Sequence, residues 1–204
     1  MHFLGGAPDP DPAFYANEED LFADIAAAYD EDISDIAGRG ARYVTLDDVP
    51  FPMLCDPAIR GQVEKQGKDP ERLLDQYIDL TNTSFSSAPS DMTVGLHMCR
   101  GNLKGTWLSE GSYQAISEKL FNKLNVDVFF LEYDTERAGG VEPLAAMPDD
   151  KMAVLGLVSS KVPDMESKEL LKARIDEAAK YVDLERLAIS PQCGFSSAVI
   201  GNPV

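Results

Sequence analysis

The chain has 204 residues, of which 35 are Asp or Glu and 18 are Lys or Arg, a formal charge of −17. Its 44% hydrophobic and 26% charged residues are globular usage, and so large an acidic excess excludes a basic stripe for tracking nucleic acid or docking on an anionic membrane. Neither a membrane-length apolar run nor the basic and apolar start of a secretory leader is present, and three cysteines suit a reducing cytoplasm better than a disulfide scaffold.

The segment Pro8 to Pro12 reads as a loop. A first helix is predicted from about Asn17 to Ala37, with Leu21, Phe22, Ile25, Tyr29, Ile33 and Ile36 at helical spacing and Gly38 and Gly40 to stop it. A strand over 43–46 ends in Asp47-Asp48. Asp69-Pro70 then opens a helix whose stripe is Leu73, Leu74, Tyr77, Ile78 and Leu80. A second strand, Met92 to Leu96, delivers His97-Met98-Cys99-Arg100-Gly101-Asn102. A helix over 112–124 follows, then a strand over 126–131 that delivers Glu132-Tyr133-Asp134. A fourth strand, Ala153 to Val158, delivers Ser159-Ser160-Lys161. A helix over 166–182, packed through Leu170, Leu171, Ile175 and Ala179, leads to a fifth strand over 187–189. That strand delivers Ser190-Pro191-Gln192-Cys193-Gly194-Phe195.

Continuously apolar strands separated by amphipathic helices mean an α/β fold with a parallel sheet covered on both sides. Each strand is plain at its start and chemically loaded at its end. In such folds the carboxyl ends of the strands form the ligand face. Four of the side chains there, His97, Cys99, Glu132 and Cys193, are of the types zinc prefers. His97 and Cys99 are two apart at a strand end, so both can point to one side. Local spacing alone leaves a second reading open, in which the two cysteines are small buried hydrophobes and His97 is a hydrogen-bonded core residue. Cys55, just past a strand end, reads as packing. No GxGxxG run is present, and Ser159 and Ser190 have no second histidine near them, since the other one is His2.

Three motifs carry a resemblance: Gly-Leu-His-Met-Cys-Arg-Gly-Asn (95–102), Phe-Leu-Glu-Tyr-Asp-Thr-Glu-Arg-Ala-Gly (130–139) and Ser-Pro-Gln-Cys-Gly-Phe (190–195). Together they resemble the catalytic domain of cobalamin-independent methionine synthase, most of all its shorter relatives. The resemblance implies a (β/α)8 barrel with zinc at its mouth, held here by His97, Cys99, Glu132 and Cys193. It implies methyl transfer from a folate or corrinoid carrier to the thiol of homocysteine, giving methionine. Glu132 is the ligand read as yielding to that thiol. Asp47 matches the aspartate that holds the amino group of the amino acid. Arg100, Asn102, Asp134 and Arg137 are read either as residues that orient the ligands or as a salt-bridge network that steadies the loops.

Two departures stand against the resemblance. Where the long enzymes carry a histidine that handles a proton, this chain has Ser159-Ser160-Lys161. Moreover, only five strands are read, in a length below the roughly 250 residues of a full barrel. Residues 1–204 are therefore expected to form one partial catalytic barrel domain of about five C-terminal βα units, with 1–16 a loop after a truncated early strand whose tail is Met1 to Leu4. The alternative expectation is a truncated or split-barrel zinc domain without independent activity, completed by an N-terminal half or by self-association. A third and weaker alternative is a related barrel, uroporphyrinogen decarboxylase, which needs basic residues for its polycarboxylate and uses no metal; the acidic balance and the zinc-type residues both count against it.

Overall fold

A computed structural model describes residues 11–196 and 199–202. The strand tail read at residues 1–4 lies outside the described residues, as does the first part of the loop read over 1–16. Five strands form one sheet in sequence order: β1 (Tyr43–Asp48), β2 (Thr93–Met98), β3 (Val128–Glu132), β4 (Met152–Val158) and β5 (Leu187–Pro191). All four pairings are parallel. The order never reverses. The sheet is therefore wound in one direction, as successive units of a barrel are, and lacks the reversal of a doubly wound sheet.

The helices are α1 (Glu18–Gly38), α2 (Pro50–Met53), α3 (Pro57–Lys65), α4 (Pro70–Ser84), α5 (Ser117–Lys123) and α6 (Lys168–Ala178). Local chemistry starts them. Asn17, Asp56, Asp69 and Ser167 each accept a bond from a first-turn N–H, and prolines open α3 and α4. Alternate strand residues, among them Leu96, Phe129, Leu131, Leu155 and Leu157, pack outward with Leu74, Leu120 and Phe121 into one core. The opposite face carries Thr45, Asp47, Gly95, His97, Phe130 and Glu132, by the period of two. At the far end of the strands, Lys151 Nζ donates to the carbonyls of Leu124 and Val126 at 2.6 and 2.8 Å. Among the described residues no helix is long and apolar enough to cross a membrane.

Several sequence expectations need correction. The sequence reading placed no helix between β1 and α4, where α2 and α3 lie; the prolines that break an apolar pattern sit in their first turns, and Gly61 lies in the middle of α3. The helix expected over 112–124 is a 3-10 turn at Tyr113–Ala115 followed by α5. Both β1 and β2 run two residues further than expected, because the ladder continues through Asp47↔His97 and Asp48↔Met98. Along α1 the buried positions are Ala26, Ile33 and Ala37, while Tyr29 is exposed. Along α6 Leu171 and Ile175 pack partly buried against the core as expected, whereas Leu170 and Ala179 are exposed and Ala178 is the fully buried residue. Cys55 is buried as expected, but it follows α2 rather than a strand.

Candidate metal centre

Parallel pairing of β1, β2, β3 and β4 brings Asp47, His97 and Glu132 to one end of the sheet, and the turn after β5 adds Cys193. The ligand atoms of His97, Cys99 and Cys193 all lie within 4.8 Å of one another. The two sulfurs are 3.7 Å apart. Two thiolates bound about 2.3 Å from one tetrahedral zinc stand roughly 3.8 Å apart, so the pair already has the spacing that such an ion requires. Glu132 is wholly buried beside the group, with Oε1 3.8 Å from His97 Nε2.

The electrostatics are those of a ligand set in its protonated form. Both ring nitrogens of His97 face acceptors, Nδ1 the Asp47 carboxylate at 2.8 Å and Nε2 the Gln192 carbonyl at 3.0 Å. Burial opposes a charge on this ring, yet Asp47, the carbonyl and Cys193 outweigh it and raise the pKa to about 9. The two sulfurs stand within hydrogen-bonding distance, and either can donate. Cys99 is pushed up by its neighbour Cys193 and by burial. Cys193 is held down by the Cys99 thiol, against burial, with help from Asn102, the Gly194 N–H and His97. Burial also raises Glu132. A divalent cation would take the place of the His97 Nε2 proton and of the proton between the sulfurs, so the donor chemistry fits zinc. Cys55 differs in kind: burial pushes its thiol up to about 12, and it stands apart from the group.

The remaining expected residues divide. Asn102 donates to the Gly194 carbonyl at 2.7 Å and so ties the turn after β2 to the turn that carries Cys193. Arg100 is buried. Its backbone N–H donates to Glu132 Oε1 at 3.1 Å, and its guanidinium stacks on Tyr113 without a hydrogen-bond partner of good geometry. Asp134 accepts from Ser159 Oγ, and Arg137 pairs with Glu110 and stacks on Trp107; neither contact involves a ligand residue. Asp47, expected to hold an ammonium, has a partner that the sequence reading did not foresee, His97 Nδ1. A carboxylate in that place fixes the ring so that Nε2 faces the group. Its side chain is still 65% exposed, which leaves a free oxygen for a ligand.

Sequence reasoning missed Gln192 and Lys161 as site residues. Gln192 is buried and donates from Nε2 to Glu132 Oε2 at 2.9 Å, while its Oε1 accepts from Ser160 Oγ and Lys161 Nζ at 2.7 and 3.0 Å. Their signal was position alone: both lie at strand ends on the ligand face. An open cavity of about 750 Å³ begins at Asp47, Cys99 and Cys193 and continues along Leu103, Trp107 and Leu108. Gly101 shapes its wall. Its φ is +92°, and a Cβ there would sit 2.4 Å from the Leu108 Cβ, so the loop folds back only because this residue is glycine.

A family model described as the catalytic domain of cobalamin-independent synthase matches residues 13–201. The uncharacterized protein YxjG of Bacillus subtilis is 41% identical over 99% of this chain, which corresponds to 53% of YxjG. A 5-methyltetrahydropteroyltriglutamate–homocysteine methyltransferase of Aliivibrio fischeri is 23% identical over 88% of the chain and 21% of that enzyme. The crystal structure of a candidate vitamin-B12-independent methionine synthase from Listeria monocytogenes superposes with a TM-score of 0.71 at 38% identity, covering 89% of this chain and 51% of that one. The chain thus spans about half the length, or less, of the curated relatives it matches.

Proposed function

Because this chain belongs to the catalytic-domain family of the cobalamin-independent synthases, we propose that it serves methyl transfer to the thiol of homocysteine at a zinc ion held by His97, Cys99, Glu132 and Cys193. The observation that carries this reading is the meeting of His97, Cys99 and Cys193, residues up to 96 positions apart, within 4.8 Å. A zinc ion there would keep a substrate thiol deprotonated at neutral pH, where a free thiol, with a pKa near 8.5, is mostly protonated.

The chain's own residues do the rest. Asp47 fixes the His97 ring and offers its outer oxygen to the substrate ammonium. Asn102 holds the Cys193 turn against the turn after β2. The apolar wall of Leu103, Trp107 and Leu108 offers an open, solvent-facing surface that receives the carrier of the methyl group, a reduced folate or a corrinoid. The substrate sulfur gives up its proton and forms a bond to the methyl carbon, while the carrier keeps the electron pair of its broken bond to that carbon and, in a folate, takes up a proton. A second reading, a zinc domain that binds the thiol but transfers no methyl group without further βα units, is supported by the exposed edge residues Tyr43 of β1 and Ile189 of β5.

The test joins metal quantification on chelator-treated, zinc-reloaded protein with a methylation assay using homocysteine and a panel of methyl donors. One zinc per chain, lost in Cys99→Ala and Cys193→Ala, with methionine formed, is the expected result. Zinc without methionine selects the second reading, and a chain that takes up no zinc ends both.

A further inference from the structure

Lys161 is a cation that the reaction above leaves without a task. Its side chain is wholly buried, although the residue follows the mouth end of β4. Nζ donates to Gln192 Oε1 at 3.0 Å, stands 3.6 Å from Glu132 Oε2 and lies 5.4 Å from the Trp107 ring centroid. Burying an ammonium is costly unless it is paired and hydrogen-bonded. Its ion-pair partner is Glu132.

Glu132 accordingly has two sides. On one, Oε1 faces His97 Nε2 at 3.8 Å. On the other, Oε2 accepts from Gln192 Nε2 at 2.9 Å and faces Lys161. Glu132 stands outside the group in which the other three ligand atoms lie within 4.8 Å of one another. Gln192 joins the two sides, because its carbonyl meets His97 and its side chain meets both Glu132 and Lys161. Charge points the same way. Two thiolates and a carboxylate around a divalent ion leave one negative charge in a buried site, and Lys161 balances it.

We propose that Lys161 is a positioning residue which, with Gln192, gives the carboxylate of Glu132, the ligand already read as yielding to the thiol, a second seat away from the metal. This inference rests on the zinc reading above. A carboxylate that leaves the ion would otherwise keep only the neutral donors Arg100 N–H and Gln192 Nε2; with Lys161 in place it moves from one cation to another.

The test measures cobalt(II) and zinc affinity by competition with a chromophoric chelator. Homocysteine uptake is followed by the thiolate-to-cobalt charge-transfer band. Lys161→Met and Lys161→Gln remove the charge, and the glutamine keeps a donor for Gln192 Oε1 should the methionine variant fail to fold. Both neutral variants are expected to bind metal roughly tenfold more tightly and homocysteine roughly tenfold less tightly, with Lys161→Arg close to wild type. In a Glu132→Gln background the same changes should vanish. A gain of equal size in that background would mean that Lys161 acts only through bulk charge, and it overturns the proposal. Unchanged metal and thiol binding in both neutral variants overturns it too. A wild-type chain that binds no metal overturns the zinc reading itself, an outcome separable from the others.

Discussion

Replacing Gly156 by alanine puts a methyl group where strands already touch. Gly156 lies in β4 between Glu132 of β3 and Ser190 of β5, beside a register shift. A Cβ there would stand 2.8 Å from the Gln192 Cα and 2.9 Å from the Leu131 carbonyl oxygen. Both are backbone atoms, so no rotamer change relieves the contact. Carbon atoms rest at about 3.5–4.0 Å. Gln192 must therefore retreat by about 0.7 Å or more, and overpacking of this kind costs about 1–3 kcal/mol. At about 2–4 °C per kcal/mol for a chain of this size, the melting temperature should fall by about 2–12 °C. The same movement stretches the contacts of Gln192 with Glu132 and His97, now 2.9 and 3.0 Å, out of hydrogen-bonding range. Zinc affinity should fall by about 10–100-fold. Thermal unfolding by circular dichroism and zinc competition read the two effects. Gly61→Ala is the control, since a Cβ in that helical position meets nothing within 4 Å and should be neutral or slightly stabilising. A Gly156→Ala protein with wild-type melting and wild-type zinc affinity refutes the reasoning.

Other outcomes follow from the same geometry. In metal-free protein the His97 pKa, raised to about 9, means that the Asp47–His97 pair stabilises fully below pH 6.5 and is lost as pH rises through 9. Because Asp47 is largely exposed, the effect on stability should stay below about 1 kcal/mol; an NMR titration in which Asp47→Asn leaves the His97 pKa unmoved contradicts it. Alkylation of the metal-free chain should modify Cys193 first and Cys55 last, and zinc should protect Cys193. Early labelling at Cys55, seen by peptide mapping, would count against its buried packing role. Lys151→Met strands the carbonyls of Leu124 and Val126 and should cost about 2–4 kcal/mol without touching zinc affinity. A melting temperature within 2 °C of wild type, on the order of 1 kcal/mol or less, would show those bonds to be replaceable.

Much of this was legible in the residues. Apolar strands between capped helices imply a parallel sheet, and Asp69-Pro70 or Ser167 announce helix starts through local chemistry. The loaded strand ends were legible for the same reason: in a parallel sheet every carboxyl end lies on one side. Where long-range packing decides, the reading failed. Nothing local says that Ala178 is the one fully buried residue of α6, or that Leu170 faces solvent. Asp47 carries no mark in the chain that it will meet a histidine 50 residues away.

Sequence alone determined the fold class, the ligand face and the residue types zinc prefers, because those follow from periodicity, capping and the chemistry of side chains one at a time. Only the tertiary structure decided which of them meet. It set Cys99 and Cys193, 94 residues apart in the chain, at 3.7 Å from each other, and left Cys55, buried just after α2, outside their group. It also brought Lys161 and Gln192 to Glu132. A buried charge needs a partner at hydrogen-bonding distance, and which partner it receives is fixed by strand register across the sheet rather than by neighbours along the chain.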